Sequence, residues 1–245
     1  MSERRRLPDL IVLGTQKGGT SSLRRLLLDH PGLFMAATKE VHFFSKHWER
    51  SADWYARHFR NAPEGVCCGE STPFYLFHQE APQRIHSLIP QAKLIVLLRD
   101  PVERALSQYF HSVRLGLENL PLEQALAAEP ARLLTGDPRH VQEHSYVSRG
   151  RYLDQLDRYL RLFPQEQLLV LQSESFFADP TETWRTIERF VGLTPAPCPA
   201  TKPKFNAGHG EAAAVTDAIR TDLRQQLSAT AHGVRQRYGF GWDWA

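Results

Sequence analysis

Cysteine is scarce in this chain. Three occur in 245 residues, Cys67 and Cys68 side by side and Cys198 far away. Neighbouring cysteines rarely bridge each other, because the bond is strained. No Cys-x-x-Cys or Cys/His ligand spacing is present either. A disulfide scaffold and a metal site are not expected, and the thiols are expected to be reduced and partly buried. Long apolar runs are also missing. The charged start "MSERRRLPD" leads into an apolar run too short for a signal-peptide core or a membrane span. The expectation is a soluble, cytoplasmic protein. Charge of one sign is missing as well. Lys and Arg number 30 against 27 Asp and Glu, a net +3, which is too little to point to nucleic acid. No repeat, low-complexity tract or strong boundary interrupts the chain, so residues 1–245 are expected to form a single domain.

Apolar residues make up 42% of the chain, enough for a sizeable core. Short runs apolar on both faces, at 10–13, 94–98 and 167–171, suit buried parallel strands, and 66–70 reads as a shorter one. Helical spacing fills the intervals. Leu23, Leu26 and Leu27 mark 20–29. Asp100 as N-cap and Pro101 open 101–115. Leu153, Leu156, Tyr159, Leu160 and Phe163 stripe 152–163. Asp179 and Pro180 open a helix through Val191 that Gly192 closes. A last helix is expected over 212–237. Strands alternating with helices predict an α/β fold, a three-layer parallel sheet flanked by helices. The proline-rich stretch 193–205 reads as a surface crossing.

The first strand runs into "GTQKGGTSS", residues 14–22. Gly14, Gly18 and Gly19 let backbone N–H groups turn towards one point. The following helix adds its positive end. Lys17 brings a point charge, and Thr20, Ser21 and Ser22 bring hydroxyl donors. The alternative is an ordinary glycine-rich turn, but charge and hydroxyls converge with the glycines. This P-loop-like strand–loop–helix predicts a phosphate or sulfate cup. A nucleotide triphosphatase needs magnesium, held by a Ser or Thr directly after the loop lysine. Here a glycine follows Lys17, so the site reads as cationic and metal-free.

"LIVLLRDPVERALSQY", residues 94–109, places Arg99 at the carboxyl end of a strand, where open α/β sheets bind ligands. Ser107 lies about two turns into the next helix. Together they are candidates for a second phosphate. A structural salt bridge for Arg99 is the alternative.

"GTQKGGTSSL" resembles the 5′-phosphosulfate loop of sulfotransferases, and the Arg99–Ser107 segment resembles their 3′-phosphate segment. The nearest relatives in this resemblance are the heparan sulfate glucosaminyl N- and 3-O-sulfotransferases and small bacterial enzymes like them. "TKEVHFFS", "RGRYLDQLDRYLRLFPQEQLLVLQSESFFADP" and "YGFGWDW" resemble further segments of that branch, in its order. The resemblance implies 3′-phosphoadenosine 5′-phosphosulfate (PAPS) as donor and 3′,5′-adenosine bisphosphate as product, with no metal. Lys17, Gly18, Gly19, Thr20, Ser21, Ser22, Arg99 and Ser107 are then the donor residues. "TKPKFNAGHGE", residues 201–211, is a looser match to the loop around the donor's phosphates and adds Lys204 and Gly208. A solvated basic turn explains it equally.

Sulfuryl transfer needs the acceptor's proton removed and the leaving phosphate's charge neutralised. Glu40, between Lys39 and the aromatics Phe43 and Phe44, is the candidate base. Its apolar neighbourhood is expected to raise its pKa. The alternative is a surface carboxylate paired with Lys39. In the resembling family the matching glutamate is the general base, and His42 matches an active-site histidine. Lys17 neutralises the leaving group. "GESTPFYLF", residues 69–77, matches a segment in which that branch usually has Glu-Lys-Ser-Pro, and Ser71 stands where the lysine is expected. Lys39, Glu70 and Phe74 are candidate acceptor contacts. Arg149 and Tyr152 are placed either near the ligands or in a packed helix start. The expected activity is in-line transfer to a hydroxyl or amine of a carbohydrate-like or natural-product acceptor, that is, a small molecule or glycan. The alternatives are a small-molecule kinase using ATP and magnesium, and a non-catalytic nucleotide binder, which has no need of Glu40.

Overall fold

The computed structural model describes residues 5–199 and 211–244. The strands are β1 (Leu10–Gly14), β2 (Leu33–Met35), β3 (Cys67–Ser71), β4 (Lys93–Leu98) and β5 (Leu168–Gln172). The helices are α1 (Thr20–Leu28), α2 (Phe43–Lys46), α3 (Ala52–Ala56), α4 (Ala81–Leu88), α5 (Pro101–Arg114), α6 (Leu122–Leu134), α7 (Pro138–Glu143), α8 (Tyr152–Leu160), α9 (Ser173–Ala178), α10 (Pro180–Val191) and α11 (Asp217–Tyr238). The chain divides into two compact units, one of residues 1–98 and 156–205, the other of 99–155 and 206–245.

The first unit holds the sheet, in the order β2-β3-β1-β4-β5. Every pairing is parallel. The fold is α/β, as expected. Leu10, Val12, Ile95 and Leu97 pack with Leu23, Leu26 and Leu27 of α1 and with Phe176, Trp184 and Ile187 of α9 and α10. Ile11, Leu13, Leu94 and Val96 point to the opposite face and are fully buried too, so the sheet is covered on both sides. That is why its strands read as continuous apolar runs rather than alternating ones.

In the second unit Asp100 caps α5, accepting from the amides of Val102 at 2.8 Å and Glu103 at 3.2 Å. Its other oxygen accepts from the Trp244 indole at 2.8 Å. Val102 and Leu106 pack with Leu223 and Leu227 of α11. Helix α6 has no counterpart among the sequence expectations. Pro130 lies inside it and reads locally as a breaker. The last helix starts at Asp217 rather than 212, because Thr216 is extended and 211–214 forms a 3₁₀ turn. Strand β2 is only three residues long, too short to show a period. No described helix is long and apolar enough to cross a membrane, and no described His, Cys, Asp or Glu group is arranged to hold a metal. The cysteines are free.

Candidate active site

The anion loop follows β1, near the centre of the sheet, and the chain crosses from one side of β1 to the other between β3 and β4. Such a reversal point, outside the carboxyl ends of the strands, is where open sheets take ligands. The loop is tightly built. Thr15 N–H donates to Leu97 O at 3.0 Å, and Gly18 N–H to Thr15 O at 3.0 Å. The buried Ser173 hydroxyl donates to Gly18 O at 2.8 Å. A Cβ on Gly18 would lie 2.7 Å from Leu97 O, and one on Gly19 2.8 Å from the Phe177 ring. Gly19 has φ 95° and is the N-cap of α1, with no side chain capping the helix. The helix thus begins, with no side chain over its N-terminus, beside Lys17, Thr20, Ser21 and Ser22. This cradle fits an anion. Sequence reasoning missed Ser173 and Phe177, which both come from α9 and carry no local signal.

The second carrier of expected site residues is the segment 38–46. Arg24 of α1 donates to Ala36 O at 2.5 Å and to Ala37 O at 3.1 Å, and Ala36 N–H donates to Gly69 O at 2.8 Å. The chain then turns sharply. Glu40 has φ 57° and His42 φ 56°. Among the described residues, the other non-glycine with positive φ is Lys17, at 67°. Left-handed backbone is costly for side chains with a Cβ and concentrates at functional sites. The three residues expected to act in catalysis are therefore the three that hold it.

His42 Nε2 lies 3.4 Å from Glu40 Oε2, and Nδ1 lies 3.0 Å from Ser45 Oγ. Both ring nitrogens of His42 therefore have a side-chain partner. The Glu40 carboxyl is held below its ordinary value, first by His42's hydrogen bond, against burial, and then by the charges of His42, Lys39 and Lys46. The expectation of a raised pKa is therefore corrected. The aromatics beside Glu40 turn into a core of their own. Phe43 stacks on Tyr55 at 4.4 Å, and Phe44 meets Tyr75 edge-on at 5.5 Å. That leaves the carboxylate 37% exposed beside basic groups.

Of the candidate acceptor contacts, Lys39 is exposed. Phe74 is nearly buried, its ring 6.2 Å from that of His42. Glu70 is 1% exposed. Its Oε1 accepts from the Tyr55 hydroxyl at 2.6 Å and the Tyr75 hydroxyl at 3.0 Å, and its Oε2 accepts from Thr72 Oγ1 at 2.6 Å. Both oxygens are thus engaged from within, and Glu70 is withdrawn from the surface an acceptor meets. Ser71 is buried as well.

In the second unit Arg99 directly precedes the cap residue Asp100, and Ser107 is partly exposed on α5. Tyr152 is fully buried and donates to Arg99 O at 2.7 Å, so it fixes the backbone that carries Arg99. Arg149 is buried and donates to the carbonyls of Val141 and Gln142, which is a packing role. Lys204 and Gly208 lie outside the described residues.

Residues 7–203 match the family described as Sulfotransferase domain. Human heparan sulfate glucosamine 3-O-sulfotransferase 6 is 36% identical over 78% of this chain and 54% of its own length. The chain spans about half the length of the curated relatives it matches. The crystal structure of a sulfotransferase from Alicyclobacillus acidocaldarius is similar with TM-score 0.80 and 29% identity, covering 97% of this chain and 98% of that one. A mouse sulfotransferase, SULT7A1, complexed with PAP shares the fold at TM-score 0.59 and 14% identity, over 92% and 85% of the two chains. The kinase alternative finds no support in these comparisons.

Proposed function

Because the chain belongs to the sulfotransferase domain family, we propose that it moves a sulfuryl group from PAPS to a hydroxyl of an aminosugar-containing glycan. The observation that carries this reading is the pair of strained sites in the first unit. The loop carries Lys17 beside a helix N-terminus that no side chain caps, and the turn sets Glu40 against His42. Support for the glycan acceptor comes from the 3-O-sulfotransferase relatives.

When bound, PAPS supplies an activated sulfuryl group. The cradle fits its 5′ anion: Gly18 and Gly19 leave no room for side chains where the backbone folds inward. Lys17 and the α1 amides hold the phosphate oxygens and neutralise the charge that grows on them as the bond to sulfur breaks. Arg99 and Ser107 are assigned the 3′-phosphate on the sequence motif. Glu40 takes the proton from the acceptor hydroxyl. Its low pKa keeps it ionised at neutral pH, so every enzyme molecule carries the base in its working form, at the expense of basicity. His42 holds that carboxylate in place and spreads the proton's charge. With Ser71 in place of the branch's usual lysine, the cation near the transferred group is left to Lys17 and Lys39.

The test is calorimetric titration with 3′,5′-adenosine bisphosphate, beside 5′-AMP and beside ATP with magnesium. Tight binding that requires the 3′-phosphate is expected, weakened by Lys17→Ala and by Arg99→Ala. Transfer from labelled PAPS to glucosamine-containing oligosaccharides, compared with simple phenols, then tests the acceptor. Binding only to ATP with magnesium overturns the proposal.

A further inference from the structure

Three hydroxyls from two segments of the chain donate hydrogen bonds to one buried carboxylate. Tyr55 comes from α3, and Thr72 and Tyr75 from the turn after β3, and all meet on Glu70. A hydroxyl has one proton to give. Once it is committed to Glu70, only the oxygen's lone pairs remain for other partners. Those lone pairs meet two backbone amides. His42 N–H donates to Thr72 Oγ1 at 3.4 Å, and Phe44 N–H donates to Tyr75 OH at 3.3 Å. These are the amides at the start of α2, the element that ends the left-handed turn carrying Glu40 and His42.

Taken with the proposed function, on which it rests, the geometry points to Glu70 as a positioning residue: through Thr72 and Tyr75 it fixes the polarity of the hydrogen bonds that hold Glu40 and His42 in their strained, reactive geometry. An ionised carboxylate only accepts, so every hydroxyl in the cluster must point inward and present lone pairs outward. A neutral amide at the same position donates as well as accepts. It would turn at least one hydroxyl around, aiming its proton at an amide N–H that also needs an acceptor. The buried polar group left unmatched is expensive, and the turn is the part free to move. Burial pushes the Glu70 carboxyl up, and its hydroxyl partners offset this only in part.

The experiment uses the full chain and four variants, Thr72→Val, Thr72→Ser, Tyr75→Phe and Glu70→Gln. Amide hydrogen exchange at His42 and Phe44 is read first, without substrates. Thr72→Val is expected to speed exchange at His42 by about tenfold, Tyr75→Phe to do the same at Phe44, and Glu70→Gln to act on both. Thr72→Ser, which keeps the hydroxyl, is expected to restore wild-type exchange. In turnover with both substrates saturating, Thr72→Val is expected to lower kcat by about ten- to a hundredfold. KM and the affinity for 3′,5′-adenosine bisphosphate should stay near wild type, and Thr72→Ser should recover kcat. Unchanged exchange at both amides in Thr72→Val and Glu70→Gln overturns the inference, as does Thr72→Ser behaving like Thr72→Val. Should Glu70→Gln not fold, the Thr72 pair and Tyr75→Phe decide. Failure of the sulfotransferase reading shows separately, as wild-type protein that binds no 3′,5′-adenosine bisphosphate while the exchange pattern still holds.

Discussion

Two buried carboxylates, one in each unit, are held in opposite ways. Glu70 in the first unit meets three neutral hydroxyls, and burial pushes its pKa up. Glu118 in the second has a fully buried side chain and meets a cation. Arg132 donates to its two oxygens at 2.5 and 3.1 Å, the Tyr146 hydroxyl at 2.8 Å, and the amides of Asn119 and Leu120 at 3.0 Å each. Burial opposes ionisation there too, but these donors outweigh it and hold Glu118 down to about 2. A carboxylate paired with a guanidinium anchors a corner of the fold. One surrounded by hydroxyls is disfavoured by its burial, and the protons it draws inward leave hydroxyl lone pairs facing the amides of the neighbouring turn. The first arrangement serves stability. The second serves a site that keeps its backbone strained, at Lys17, Glu40 and His42.

The sharpest way to break this contrast is at the exposed end of the first site. Glu40→Gln is expected to lower turnover by about 10²- to 10⁴-fold, the usual worth of a general base. Denaturant midpoint and affinity for 3′,5′-adenosine bisphosphate should stay near wild type. A variant that turns over normally removes Glu40 from catalysis.

At the other carboxylate the readouts exchange places. Glu118→Gln leaves Arg132 without its partner and should cost about 2–3 kcal/mol in urea unfolding, since a broken buried pair strands a charge. Turnover per folded molecule should be unchanged. A full loss of activity with unaltered stability contradicts the assignment.

Smaller effects lie in the pH dependence. Glu40's pKa is depressed chiefly by His42, so kcat/KM should stay level on the acid side to below the ordinary carboxylate value of 4.5. His42→Ala should move that acid limb to higher pH, and an unmoved limb denies the pair its coupling.

The smallest effect compares the two buried groups directly by linkage. Glu118 has a depressed pKa. Its contribution is present above the ordinary value of 4.5 and is lost as pH falls through about 2. Glu70 has a raised pKa, so its contribution is greatest below the ordinary value and is lost as pH rises through the folded one. On acidification the stability difference between wild type and variant should therefore shrink for Glu118→Gln and shift in the wild type's favour for Glu70→Gln. Parallel curves would erase the distinction drawn here.

Much of this was legible in the residues. The runs at 10–13 and 94–98 are buried on both faces, a condition that makes a parallel strand readable, and the edge run at 167–171 is partly buried. Asp100, Asp179 and Gly192 cap helices as their types require. The strand–loop–helix around Lys17–Ser22 was readable because its signal is local: glycines and a helix start within one short segment. Helix α6 was hidden by Pro130, and β2 by its length.

The sequence by itself determined the α/β class, the strand–loop–helix cup and the family, because each rests on neighbours along the chain. Only the tertiary structure decided the rest. It brought Tyr55, Thr72 and Tyr75 onto Glu70 and drew Glu70 away from the surface. It also turned Phe43 and Phe44 into a core with Tyr55 and Tyr75, leaving Glu40 to His42 and Lys39, which lower its pKa. The reason is one of range. Periodicity and capping act over a few residues, whereas burial and hydrogen-bond polarity depend on which distant segments the folded chain brings within about 3 Å of one another.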